Sequence, residues 1–272
     1  MSDTIFDTWV EAIKADEPVC LVTVVAVEGD GESPVHDRLG NKLLVRPSKP
    51  ALGTLGNAEL DRVVERDALA ELEVGRSGVR NYGAEGQQRE NDLTVFIESQ
   101  APPPRMIIFG AVDFTAALAS TAKLLGYRVV VADARPVFAT RKRFPMADEL
   151  RVKWPDDVFD EFGEDLGPRD AVAILTHDNK FDVPAVVRAL QTRVGYIGVM
   201  GSRKTHEGRT ERLREVGVDD EGLQRLRSPL GIDIGGRTPE ETAISICAEI
   251  IALRSGRKVN ALRDTEGPIH ER

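Results

Sequence analysis

The side chains best placed to do chemistry in this chain stand at four turns, each following a run of small or β-branched apolar residues. The first turn reads Phe109-Gly110-Ala111-Val112-Asp113 and leads into a helical pattern. A strand–glycine–helix turn of this kind is half of a dinucleotide-binding fingerprint, in which a second glycine lets a pyrophosphate approach the backbone. Here that place is taken by Val112, whose branched side chain stands where a diphosphate would lie. Asp113 is expected to cap the following helix, satisfying its amides and opposing a phosphate at the positive end of the helix dipole. Together these two residues argue against a working dehydrogenase.

The second turn carries Asp133, 23 residues after Gly110, where an acidic residue that accepts from a ribose hydroxyl is expected. Arg135 follows, positioned to meet a phosphate or to pair with Asp133 itself. The same two residues serve equally well as an ordinary strand-end turn. In the third, Thr176-His177-Asp178, one His–Asp pair supplies too few ligands for a stable metal site, so a hydrogen-bonding role at a ligand edge is expected. The fourth, Gly201-Ser202-Arg203-Lys204, opens a helix and offers backbone amides, a hydroxyl and two cations, a set suited to an anion. From Arg203 to Arg214 five cations face two carboxylates, a local positive excess in a chain of net charge −9. Arg212 and Arg214 read as a solvated helix face, whereas Ser202 and Arg203 read as ligand contacts.

The elements that must position these turns follow from periodicity. Ala101-Pro102-Pro103-Pro104 is the clearest boundary, because three prolines favour an extended connector. It separates an N-terminal domain (residues 1–100) from a second domain (105–257), with a tail at 258–272. In the second domain, strands at Arg105–Gly110, Tyr127–Asp133, Leu150–Lys153, Asp170–Thr176 and Gly195–Met200 alternate with helices at Asp113–Leu125, Val183–Gln191, Ser202–Val216 and Pro239–Arg254. Such alternation predicts an α/β Rossmann-like doubly wound parallel sheet, with ligands at the carboxyl ends of the strands. The first domain reads as smaller and α+β. A helix begins near Asp3-Thr4, strands run over Val19–Val27, Lys42–Arg46 and Leu93–Glu98, and a second helix spans Ala58–Leu72. Loops are expected at Glu28–Gly40 and Pro47–Gly56, and a polar stretch at Gly75–Asp92.

With 45 acidic against 36 basic residues, the chain is ill suited to nucleic acid or anionic membranes, and any anionic ligand must be held by a local basic cluster. The two cysteines, Cys20 and Cys247, lie in apolar runs with no metal-binding spacing, and each reads as a small buried hydrophobe. The first residues lack a signal pattern and no apolar run is long enough to span a bilayer, so a soluble cytoplasmic protein is expected.

Several co-linear motifs resemble the XdhC/CoxI family. They are Leu175-Thr-His-Asp-Asn-Lys-Phe-Asp182, Tyr196-Ile-Gly-Val-Met-Gly-Ser-Arg203, Leu213-Arg-Glu-Val-Gly217 and Ser228-Pro-Leu-Gly-Ile-Asp-Ile-Gly-Gly-Arg-Thr-Pro-Glu-Glu241. The likeness is dense from Arg105 to Gly256 and weaker before it, where Gly31-Glu-Ser-Pro34 and Gly53-Thr-Leu-Gly56 correspond. The resemblance implies an accessory protein rather than an enzyme. Such a protein binds molybdopterin, the molybdenum cofactor, protects it during sulfuration by a cysteine desulfurase and delivers it to a molybdenum hydroxylase apoenzyme of the xanthine or carbon monoxide dehydrogenase type. The sequence departs from the family pattern at two places. Asn57 stands where a cofactor-linked cysteine is common, and Val112-Asp113 replaces Gly-His in the first Rossmann loop. A thiolate can ligate molybdenum or carry sulfur, and an amide cannot.

The candidate cofactor-binding residues are therefore Gly110, Asp133, Arg135, His177, Asp178, Gly201, Ser202, Arg203 and Asn57, with no catalytic or metal set. Two alternatives stay open: an NAD(P)-dependent oxidoreductase and a ligand-free, partner-binding relative. The long apolar helices point to a homodimer.

Overall fold

The computed structural model describes residues 2–28, 35–87, 91–176 and 178–261. The expected turn at Gly31–Pro34, His177 and most of the tail lie outside them. The chain forms two compact units, Met1–Pro102 and Pro103–Arg272.

In the first unit a helix, α1 (Ser2–Lys14), precedes strands β1 (Val19–Val27), β2 (Lys42–Arg46) and β3 (Lys49–Thr54). Helix α2 (Ala58–Val74) and strands β4 (Gly78–Tyr82) and β5 (Leu93–Gln100) complete it. The sheet is antiparallel in the order β3-β2-β1-β5-β4. Alternation along β1 sends Cys20, Val22 and Val24 under α2, while Val19 and Leu21 meet Ile5 and Ala12 of α1.

Two expectations need correction. The loop at Pro47–Gly56 contains β3, and the polar stretch at Gly75–Asp92 contains β4. Both are edge strands. An edge tolerates Pro50 and Gly53 and needs no second apolar face, so its periodicity is weak.

The second unit carries strands β6 (Arg105–Phe109), β7 (Arg128–Ala132), β8 (Glu149–Arg151), β9 (Ala171–Ile174), β10 (Tyr196–Val199) and β11 (Leu226–Arg227). Its helices are α3 (Asp113–Leu124), α4 (Pro155–Phe162), α5 (Asn179–Leu190), α6 (Arg203–Glu215), α7 (Asp220–Arg225) and α8 (Pro239–Ser255). All six strands are parallel, in the order β11-β10-β9-β6-β7-β8. Numbered within the unit this is the 3-2-1-4-5-6 arrangement of the doubly wound fold, and its order reverses between β6 and β9. Helices cover both faces. Leu118 and Ala122 of α3 pack with Ile246 and Ile250 of α8 on Ile108, Val129 and Val131. Across the sheet, Phe159 of α4, Val186 of α5 and Leu213 of α6 pack on Ile107, Val130 and Val172.

Helix α4 and the pair α7–β11 go beyond the elements expected from periodicity. In α4, Pro155 at the first position and Val158, Phe159 and Phe162 along one face provide a legible signal. Helix α5 starts four residues before the predicted Val183, because Asp178 caps it and Pro184 is accommodated inside. Both cysteines are buried, and burial pushes each thiol up to about 11. No helix among the described residues is long and apolar enough to cross a membrane.

The α3–α8 layer yields a direct test. Leu118 is fully buried and Leu124, on the same helix, is 88% exposed. Leu118→Ala is expected to lower unfolding free energy by about 2–5 kcal/mol and Leu124→Ala by less than about 0.5 kcal/mol, as read by urea denaturation.

Candidate functional site

The reversal of strand order leaves a crevice at the carboxyl edge of the sheet, a cleft of about 440 Å³. That is within the range of small-molecule sites. Phe109, Gly110 and Val112 line it from the end of β6, Ala132, Asp133 and Arg135 from the end of β7. Thr176, Asp178, Asn179 and Phe181 close the β9 side, and Lys153 and Pro155 the far rim.

Gly110 is required where it stands. Its φ is +106°, and a Cβ there would lie 2.7 Å from Cγ2 of Thr176. The following turn is clamped from within. Buried Thr115 donates its hydroxyl to the Gly110 carbonyl and accepts from the Val112 amide at 3.4 Å. Arg143 Nη1 donates to the Ala111 carbonyl at 2.8 Å.

Asp113 does not cap α3 as expected. Val112 is the N-cap residue, and Asp113 is the first helical residue. Its side chain, 91% exposed, accepts from Arg143 at 3.3 Å. A residue already inside the helix points its carboxylate outward along the surface, whereas a capping side chain must come from the residue before.

Asp133 carries the most interactions. Its Oδ2 accepts from the Ala111 amide and Arg135 Nη2, both at 2.8 Å. Its Oδ1 accepts from the Arg135 amide and Nε, both at 2.9 Å. Of the two partners foreseen for Arg135, phosphate or Asp133, the structure pairs it with Asp133. The guanidinium also lies 4.5 Å above the ring of Phe138. Burial pushes the Asp133 carboxyl upward, but the Arg135 and Ala111 donors outweigh it and hold the pKa below 3.8.

On the β9 side, Asp178 caps α5 by accepting from the Lys180 amide at 3.0 Å. Below it Thr176 donates its hydroxyl to Asp182. Asp182 pairs at 3.1 Å with Arg209, and both side chains are 1% exposed. Arg209 also donates to the Met200 carbonyl at 2.9 Å and to Ser228 Oγ at 3.1 Å. At the rim, Trp154 stacks on Phe181 with centroids 4.3 Å apart and planes 7° from parallel. Lys153 is ion-paired with Glu161.

Of the sequence-derived residues, Gly110, Asp133, Arg135 and Asp178 thus come together around the cleft, while His177 lies outside the described residues. Gly201, Ser202 and Arg203 are not among its lining. They follow β10, one strand beyond the reversal point, and Ser202 Oγ is engaged as the cap of α6, accepting from Thr205 at 3.1 Å. Asn57 belongs to the first unit. Its Oδ1 accepts from the Glu59 amide at 2.8 Å and the Leu60 amide at 3.2 Å, capping α2. Sequence reasoning missed Lys153 and Phe181, although Lys153 ends a predicted strand and so falls at the ligand edge. It also placed Arg209 in a charged helix, where nothing distinguishes a buried arginine from its neighbours.

The comparisons with known proteins bear on this same framework. Residues 106–250 match a family model described as the XdhC Rossmann domain, and residues 12–83 match one described as the XdhC and CoxI family. The chain belongs to the XdhC and CoxI family. Among curated relatives, the chain is 30% identical over 258 residues to an uncharacterized protein of Escherichia coli K12, YqeB, covering 90% of this chain and 46% of that one. It is 36% identical over 165 residues to a Bacillus subtilis protein named as a probable subunit of xanthine dehydrogenase, covering 61% and 47%. To the molybdenum cofactor insertion chaperone PaoD of Escherichia coli it is 27% identical over 153 residues, covering 56% and 41%. The chain thus spans about half the length of these curated relatives. A crystal structure from Bacillus halodurans, described as a xanthine dehydrogenase, shares the fold at a TM-score of 0.51 and 23% identity, covering 92% of this chain and 96% of that one.

The Asp133 cluster makes a pH-dependent prediction. Its folded pKa is depressed, so its contribution is complete above 3.8 and is lost as pH falls through the lower folded value. Asp133→Asn is expected to cost roughly 2–3 kcal/mol at pH 7. In urea unfolding between pH 7 and pH 3 the gap to wild type should narrow only below about pH 4. A gap that is constant or widens in acid would mean the carboxylate is not the ionised partner.

Proposed function

We propose that this protein is a maturation factor that binds molybdopterin, the molybdenum cofactor, in the cleft at the β6–β9 reversal and passes it to a molybdenum hydroxylase. What carries the reading is the likeness, over 153 residues, to a relative named as a molybdenum cofactor insertion chaperone and, over 165 residues, to one named as a probable xanthine dehydrogenase subunit, together with the match of residues 106–250, the unit that forms the cleft, to the XdhC Rossmann domain. The chemistry of the lining supports it. A pterin is planar and its side chain ends in phosphate. Phe181, backed by Trp154, offers an aromatic face, and Lys153, paired with Glu161, brings a cation to the rim.

The protein's own residues bind and orient the cargo and do not transform it. Its two cysteines are buried and their thiols are held protonated, so any sulfur must come from a partner. On this reading the partners are the hydroxylase apoenzyme and a cysteine desulfurase, the setting is the cytoplasm, and the working species is a homodimer.

The test is titration of the purified chain with molybdopterin under anaerobic conditions, followed by pterin fluorescence. Binding is expected, at least about tenfold weaker in Lys153→Glu, and within about twofold of wild type in Arg203→Ala, which alters a residue outside the cleft. An unaltered titration in Lys153→Glu would remove the cleft from the mechanism, and the absence of any pterin binding would remove the function.

A further inference from the structure

We propose that Arg135 is a specificity-determining residue that stands in for a ribose and keeps ribosyl nucleotides out of the cleft. In a doubly wound domain the carboxylate at the end of the second strand reads a nucleotide by accepting from the vicinal hydroxyls of its ribose. Asp133 holds that position, at the end of β7 beside Gly110. A carboxylate has about four lone-pair sites. Those of Asp133 are all taken: Oδ2 by the Ala111 amide and Arg135 Nη2, Oδ1 by the Arg135 amide and Nε.

Two of the four donors come from one planar guanidinium, which spans both carboxylate oxygens as the two hydroxyls of a ribose would. This bidentate, charge-assisted geometry is stronger than neutral hydrogen bonds from a diol, and it is intramolecular, so a ribose must displace it at a net loss. The Phe138 ring beneath the guanidinium keeps it in place. Asp133 is 2% exposed on its side chain, so no open face remains for a second set of donors. Val112, standing at the neighbouring turn, narrows the path for a diphosphate.

The consequence for the ligand rests on the reading given under Proposed function: the cleft accepts a pterin ending in a single phosphate and rejects a form extended by a nucleotide. The exclusion itself is tested separately, with adenosine 5′-monophosphate as a ribose-bearing probe that lacks a diphosphate. By calorimetry, wild type is expected to show no binding up to millimolar concentration. Arg135→Ala should bring binding into the measurable range, a gain of about tenfold to a hundredfold. The double variant Asp133→Asn with Arg135→Ala should lose that gain, which a merely structural effect of Arg135 would not produce. Should Arg135→Ala melt out, Arg135→Lys keeps the charge but cannot bridge both oxygens, and it should show a smaller gain.

Wild-type binding of the probe that disappears in Asp133→Asn would overturn the proposal. So would no gain in either Arg135 variant when circular dichroism shows it folded. Either result leaves the molybdopterin titration standing on its own outcome.

Discussion

The cleft is organised around one buried carboxylate. Asp133 ends β7, and from there its side chain ties the turn after β6, through the Ala111 amide, to its own following turn, through Arg135. A charge this deeply placed is tolerable only when it is fully hydrogen-bonded and paired, and here four donors meet it. The same four bonds fix the mouth of the cleft. A loop that in nucleotide-binding relatives of this fold turns its amides to a ligand is instead bound to the protein itself.

A second buried charge does the equivalent work on the other side. Arg209 reaches from α6 to Asp182 of α5, to the Met200 carbonyl at the end of β10 and to Ser228 after β11. Thr176, at the foot of the cleft wall, is joined to the same aspartate. The two networks stand on either side of the strand-order reversal, so the crevice between β6 and β9 has both walls pinned by polar contacts that would be costly to leave unmade. Breaking either network exposes an uncompensated charge rather than a simple gap.

The two places where the sequence was expected to depart from the family pattern, Asn57 and Val112-Asp113, have structural counterparts. At Asn57 the amide is consumed in capping α2, a task to which asparagine is well suited and cysteine is not. At Val112-Asp113 the turn is closed by Thr115 and Arg143, with Asp113 turned outward to solvent. At both places backbone groups are met by side chains of the protein itself.

Periodicity and turn residues alone determined the alternation of the second unit, its parallel sheet and the carboxyl-edge location of Gly110, Asp133, Arg135 and Asp178. These are local properties: β-branched runs, capping residues and glycines report the backbone around them. Edge strands β3 and β4 escaped because half of their surface faces solvent and imposes no pattern. What only the tertiary structure decided is how each charged group is engaged. Whether Arg135 meets a ligand or Asp133, whether Arg209 is solvated or buried, and whether Ser202 lines a cleft or caps a helix depend on strand order and on partners far along the chain. Ser202 follows a strand one place beyond the reversal and Asp133 follows a strand beside it, and spacing in the sequence carries no record of that placement.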